Sequence, residues 1–293
     1  MSRTVHFSYR GNTWQLERTV FKYGFSDPHL PRMIIIAAMH GNEPTGLMAL
    51  LDLKARLRSL AHQMQGEVIG LIGNFKALER GERFIDTDLN RMWRNGSERN
   101  HGQEDIEKEE LHALIDKALA GDGARYVLDL HTTSADSPPF MSIGDTEANR
   151  NFASRFKMPA IAGIERFIHG ALLEYISEMG HVGLAFEAGQ HTAAKSVDIH
   201  EDFVMEALHH TGILEKGGFT CVGEGRQFDI VYRHGISPED EFRMNPGYMN
   251  LTPIHKGQII AKDRFGDVRA PKEGLLFMPL YQKLGNDGFF IVR

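Results

Sequence analysis

The sequence predicts an α/β protein: a central sheet, mostly parallel or mixed, with helices on both faces, followed by a small β-rich domain. Three observations predict this. Short apolar runs alternate with segments of helical periodicity from residue 33 to residue 214, the pattern of strands covered by crossover helices. After Gly218 helical periodicity vanishes, and strand-like runs alternate with glycine turns. Three of the apolar runs also stop abruptly at residues suited to chemistry: His40 and Glu43, then His131, then Glu187. Parallel strands put their carboxyl ends on one edge, so these four side chains should share one rim, where open α/β sheets bind their ligands.

The elements follow in order. Residues 4–20 alternate loosely around Gly11-Asn12, which predicts an N-terminal hairpin. Met33–Met39 is a buried strand ending in the turn His40-Gly41-Asn42-Glu43-Pro44. Leu47, Leu50, Leu51, Leu57 and Leu60 predict a helix that Gly66 ends, and Val68–Ile72 a second strand. Residues 74–93 are too polar for core and too rich in large apolar residues for a disordered linker. They read as a long loop with its own packing, which is usually functional. Residues 95–104 read as a polar surface loop, and 104–120 as a helix with an acidic first turn. Tyr126–Leu130 is a strand, 146–157 a helical pattern, Ala160–Ile164 a short strand, 170–179 a helix, Val182–Phe186 a strand and 194–214 a helix. The runs Phe228–Tyr232, Ile259–Ala261, Leu275–Pro279 and Phe289–Val292 belong to the β-rich part. The domains expected are therefore 1–216, carrying the hairpin and the site, and 217–293.

Composition narrows the function. With 33 basic and 39 acidic residues the net charge is −6, which argues against nucleic acid or an anionic membrane as the main partner. The single cysteine, Cys221, excludes an internal disulfide framework and a Cys-rich zinc site and fits a reducing compartment. No apolar run approaches the roughly 20 residues of a membrane helix, and the first residues have no apolar signal region. The expectation is a soluble, cytoplasmic protein; a homo-oligomer is left open.

The rim residues suit a metal. Two imidazoles and a carboxylate with an open fourth position are a common ligand set for catalytic zinc, and His40, Glu43 and His131 supply one. Such a metal makes a water nucleophile available near neutral pH. Glu187 is then a candidate general base, Arg83 a candidate to stabilise charge on a carbonyl oxygen, and Arg91 a planar fork for a substrate carboxylate. Asp129, two residues before His131, lies on the same strand face and can orient a ligand. Each residue has an ordinary explanation alone. H-x-x-E is common in surface loops, and Arg83, Asp86, Asp88 and Arg91 could be a solvated ion-pair cluster. It is their gathering on one rim that those explanations do not cover.

Four ordered motifs, His40-Gly41-Asn42-Glu43, Arg83 with Asp88-Leu89-Asn90-Arg91, Asp129-Leu130-His131-Thr132, and Glu187-Ala188-Gly189, resemble the succinylglutamate desuccinylase/aspartoacylase family, whose members are zinc-dependent N-acyl-amino-acid hydrolases related to zinc carboxypeptidases. The match spans roughly 33–191, and the β-rich segment is similar in position to that family's second domain. The resemblance implies a zinc carboxypeptidase-like fold and one Zn²⁺ per chain on His40, Glu43 and His131. It implies Glu187 as general base and Arg83 as the carbonyl-polarising group. It implies Asn90 and Arg91 as binders of the substrate carboxylate, with Asp88 and Thr132 in the same motifs as further substrate contacts. The implied reaction is hydrolysis of an N-acylated small molecule; the alternatives are a zinc carboxypeptidase acting on peptides and a binding module that keeps the fold. The sequence departs from aspartoacylase in two places. No arginine lies in Glu174–Glu178, about ten residues before the base, although Arg166 could substitute. Gly288-Phe289-Phe290 also stands where that enzyme has a tyrosine. These departures point away from N-acetylaspartate, toward an apolar or differently charged amino-acid side chain.

Overall fold

The computed structural model describes residues 3–94, 102–191, 193–215, 225–282 and 285–293. The N-terminal hairpin pairs β1 (Thr4–Tyr9) antiparallel with β2 (Asn12–Glu17). Its two-residue loop is Arg10-Gly11, both at positive φ (49° and 82°), one residue earlier than the glycine-asparagine pair suggests. That loop geometry matches the right-handed twist of the flanking strands. Strand β3 (Thr19–Gly24) follows and is not foreshadowed by any strict alternation.

β4 (Arg32–Ala37) is buried at all six positions, as expected of a central strand covered on both faces. Met33, Ile35 and Ala37 join the core beneath α1 (Thr45–Leu60) and α6 (Lys195–His210). Ile34 and Ile36 join the opposite core, beneath α3 (Gln103–Leu119) and α5 (Leu172–Glu178). Burial of each fully covered isoleucine contributes about 2–3 kcal/mol before entropy is counted. β5 (Glu67–Ile72) pairs parallel with β4 and antiparallel with β3. Helix α1 stops at Leu60 and passes through a 3₁₀ turn, Ala61–Gln63, so Gly66 begins the approach to β5 instead of capping the helix.

β6 (Arg125–Thr133) and β9 (Val182–Gln190) are longer than their apolar runs. They pair parallel, with His131 directly opposite Glu187. Both residues therefore sit in the last rungs of the sheet rather than in the loops beyond it. Between them in sequence come β7 (Phe140–Ile143), α4 (Glu147–Ala153) and β8 (Ala160–Ala162). β7 runs antiparallel to β9 and parallel to β8, so the sheet is mixed. The convergence of carboxyl ends holds for β4, β6 and β9 but not for β8.

β10 (Gln227–Gly235) pairs parallel with β8 and carries the sheet on. After β11 (Arg243–Met244), β12 (Thr252–Ile254), β13 (Ile259–Asp263), β14 (Gly266–Arg269), β15 (Gly274–Phe277) and β16 (Asp287–Val292), the order is β12-β15-β16-β10-β8-β7-β9-β6-β4-β5-β3. β11, β13 and β14 form a separate three-stranded sheet. The expected boundary at 216/217, with Cys221, lies outside the described residues, as does most of the polar loop 95–104. Among the described residues no helix is long and apolar enough to cross a membrane.

Candidate active site at the sheet rim

The 74–93 stretch is not one continuous loop. α2 (Phe75–Arg80) and a 3₁₀ turn, Leu89–Arg91, bracket an irregular segment. Chain geometry fixes how this segment meets the turn after β4. Ala38 takes a left-handed conformation (φ 57°), which is strained for a residue with a Cβ and tends to be retained where structure around it demands it. At Gly41 an added Cβ would stand 2.0 Å from the carbonyl carbon of Ala77, so only glycine lets the turn seat against α2. Gly41 N–H then donates to the Arg83 carbonyl at 3.3 Å.

The turn and the two strand ends bring His40, Glu43 and His131 together, all buried. His40 Nδ1 lies 2.9 Å from Glu43 Oε1 and His131 Nδ1 lies 3.1 Å from Glu43 Oε2. One ligand atom from each residue falls within 4.8 Å of the others, so the group could hold a metal ion. The far side of each ring faces a carboxylate, with His40 Nε2 3.1 Å from Asp88 Oδ1 and His131 Nε2 2.7 Å from Asp129 Oδ2. Carboxylates commonly orient ligating imidazoles in this way.

Electrostatics follow from the burial. Burial alone would raise the Glu43 carboxyl, but His40 and His131 hold it well below its ordinary value. Burial opposes charge on His131, yet Asp129 and Glu43 raise it well above the usual histidine range. Glu187 behaves oppositely: burial pushes its carboxyl up to about 8, with Glu43 and Asp129 adding to the rise while His131 and Arg83 oppose it. Its Oε2 is buried without a hydrogen-bond partner among the described residues. A carboxyl that can carry or release a proton near neutral pH beside a cluster of metal-ligating type is suited to proton transfer.

Nine of the residues singled out from the sequence line one cavity of about 360 Å³, His40, Glu43, Arg83, Asp88, Asn90, Arg91, His131, Thr132 and Glu187, whereas Asp129 lies behind His131 and does not line it. Asp88 has both oxygens engaged by protein. Oδ1 accepts from Asn90 N–H at 2.9 Å and faces His40, and Oδ2 accepts from Arg83 Nη2 at 2.9 Å. The Thr132 N–H donates to Glu43 Oε2 at 3.0 Å. Asn90 Oδ1 accepts from Leu172 N–H at 2.9 Å, and no partner for its amide NH₂ is found among the described residues, while Asn90 lines the cavity. Arg166 pairs with Asp145, is half exposed and does not line the cavity.

Three residues emerge only from the structure. His191 contacts the Thr132 hydroxyl through Nδ1 at 2.8 Å and lines the cavity. Asp287 lies 3.9 Å from Arg91 and 2.5 Å from Arg233 Nε. Glu104, buried at 1% exposure, accepts Asn74 Nδ2 and the N–H groups of Ile85, Asp86 and Thr87 at 2.7–3.2 Å. Only the strand-end position of His191 was visible in the sequence; nothing local marked the other two.

A mixed α/β sheet thus carries at its rim a buried His–Glu–His group that could hold a metal ion, beside a protonatable glutamate. Residues 29–208 match the model of the succinylglutamate desuccinylase/aspartoacylase catalytic domain. The chain belongs to the succinylglutamate desuccinylase/aspartoacylase family, a family of deacylases. It is 34% identical over 247 residues to a succinylglutamate desuccinylase of Pseudomonas paraeruginosa, covering 79% of this chain and 74% of that one. It is also 34% identical over 109 residues to a probable aspartoacylase of Prochlorococcus marinus, covering 36% and 35%. In fold it is similar to the crystal structure of a succinylglutamate desuccinylase/aspartoacylase from Rhodobacter sphaeroides (TM-score 0.73, 18% identity, 99% and 93% covered). It is likewise similar to the product-bound ectoine utilization protein EutE (DoeB) of Ruegeria pomeroyi (TM-score 0.70, 21% identity, 99% and 93% covered).

Proposed function

We propose that this protein is a zinc-dependent amidohydrolase that removes the acyl group from an N-acylated amino acid or similar small molecule. The observation that carries this is the convergence of two Nδ1 atoms and one carboxylate with the buried Oε2 of Glu187 on one cavity. The donor set fits zinc, with two imidazole nitrogens and a carboxylate oxygen as protein ligands and room for a fourth. A zinc ion on His40, Glu43 and His131 supplies Lewis acidity, acidifying water and polarising a carbonyl.

The chain's own residues do the rest. Glu187 takes a proton from the attacking water and delivers it to the departing amine. Arg83, held by Asp88, places a guanidinium where negative charge grows on the acyl oxygen. Arg91 and the amide NH₂ of Asn90 receive the substrate carboxylate. Asp88 and Asp129 act as positioning residues, fixing the imidazoles of His40 and His131. The Thr132 N–H steadies Glu43. Met278, Leu280, Asn286 and Asp287 from the C-terminal segment help close the cavity, which favours a small substrate over a peptide.

The test is metal analysis beside hydrolysis of N-acyl amino acids by the wild type and Glu187→Gln. About one zinc per chain is expected in both, with turnover in the variant lower by roughly 10²–10⁴. Full activity of the variant would remove Glu187 from proton transfer. Failure to take up zinc on dialysis against it would overturn the reading.

A further inference from the structure

We propose that the cavity selects a substrate with a single carboxylate and an apolar group, and works against a second carboxylate; this rests on the deacylase reading above. Two observations carry it. The first is charge. Among the described residues, Arg83 and Arg91 are the only Lys or Arg side chains lining the cavity. Arg83 is committed to Asp88 at 2.9 Å and stands 3.7 Å from Glu43. Among the described residues Arg91 alone is left for a substrate anion, and Asp287 already stands 3.9 Å from it. A second substrate carboxylate would enter a cavity whose acids include Glu43, Asp88 and Asp287, with no further cation among the described residues to receive it. A buried carboxylate without a partner is strongly disfavoured.

The second is a built apolar wall. Ile164, Ile168, Met278 and Phe290 all line the cavity and all belong to one packed hydrophobic cluster. They come from the turn after β8, the segment before α5, the residue after β15, and β16. Met278 holds a left-handed backbone (φ 47°), fixed by its N–H donating to Asn250 Oδ1 at 2.5 Å. Methionine in that conformation is strained, and such strain persists where the surroundings impose it. An apolar group of the substrate that covers this wall gains affinity in proportion to the area it removes from water. That group could be the amino-acid side chain or the acyl chain.

The experiment measures binding by calorimetry to the zinc-loaded Glu187→Gln protein, in which amides persist. The probes are N-acetylglycine, N-acetyl-L-leucine, N-hexanoylglycine and N-acetyl-L-aspartate. N-acetyl-L-leucine or N-hexanoylglycine should bind about 10- to 100-fold more tightly than N-acetylglycine; the one that gains identifies side chain or acyl chain as the source. N-acetyl-L-aspartate should bind no better than N-acetylglycine. Met278→Gly, which suits the left-handed backbone, and Ile168→Ser should each collapse the apolar-to-glycine affinity ratio toward one. Tightest binding of the aspartate amide, an apolar ratio near one, or no binding of any probe overturns the proposal. Wild-type turnover separates the two readings. Hydrolysis without an apolar preference sinks only the substrate class, whereas an apolar preference in binding without any hydrolysis sinks the deacylase.

Discussion

Glu104→Gln tests how the loop bearing Arg83 and Asp88 is held. In the wild type one buried carboxylate accepts four hydrogen bonds: Asn74 Nδ2 at 3.0 Å and the backbone N–H groups of Ile85, Asp86 and Thr87 at 2.7, 3.0 and 3.2 Å. Glutamine keeps one acceptor oxygen and turns an NH₂ donor toward donors. Two hydrogen bonds to a charged group are lost at about 1.5–3 kcal/mol each, so the change should cost about 3–6 kcal/mol. That is a large share of an ordinary domain's stability. Urea unfolding should show the loss, and hydrogen exchange of the amides of residues 85–87 should accelerate first. Activity should fall at least tenfold as Arg83 and Asp88 lose their places, while zinc stays bound, because none of the three proposed ligands lies on this segment. A stability change below about 0.5 kcal/mol with unaltered exchange at residues 85–87 would refute the reasoning.

Other expectations are more compact. His200 is fully buried beside Phe186 with neither ring nitrogen partnered among the described residues, and burial, aided by the charge of His131, lowers it to about 3. Its neutral form is the folded form, so its contribution is complete above the unfolded value of about 6.5 and is lost as pH falls from there toward 3. The loss is about 2 kcal/mol by pH 5, and His200→Leu should flatten that limb of the stability–pH curve; an unchanged slope would contradict it. His131→Ala should remove the metal, seen by elemental analysis, and with it the stabilisation that bound metal confers, about 4 kcal/mol at a thousand times Kd. Gly41→Ala should cost more than about 3 kcal/mol or abolish soluble protein, since the new Cβ would meet the Ala77 backbone at 2.0 Å; wild-type unfolding behaviour would show that the turn can yield.

Much of this protein is legible in its sequence. The apolar run at 33–37 reads as a covered strand and is buried at every position, and a hairpin turn is legible near Gly11, although its loop is Arg10-Gly11 and not Gly11-Asn12. Spacing alone also puts His40 and Glu43 on one turn and Asp129 and His131 on one strand face. What the tertiary structure decided is partnership and direction. Periodicity reports which side of a strand is buried, not which way its neighbour runs, so the reversed β7 and β8 and the passage of the sheet into β10 and β16 were unreadable. Glu104 looks like any acid in a helix's first turn, and Asp287 like any strand-end aspartate. Their partners lie 17 to 196 residues away, at Thr87 and Arg91. The sequence by itself determined the elements and the chemistry carried at their ends, because those depend on neighbours along the chain. Only folding decided which charges are neutralised, which carboxyl stays protonatable and which wall of the cavity is apolar, because those depend on neighbours in space.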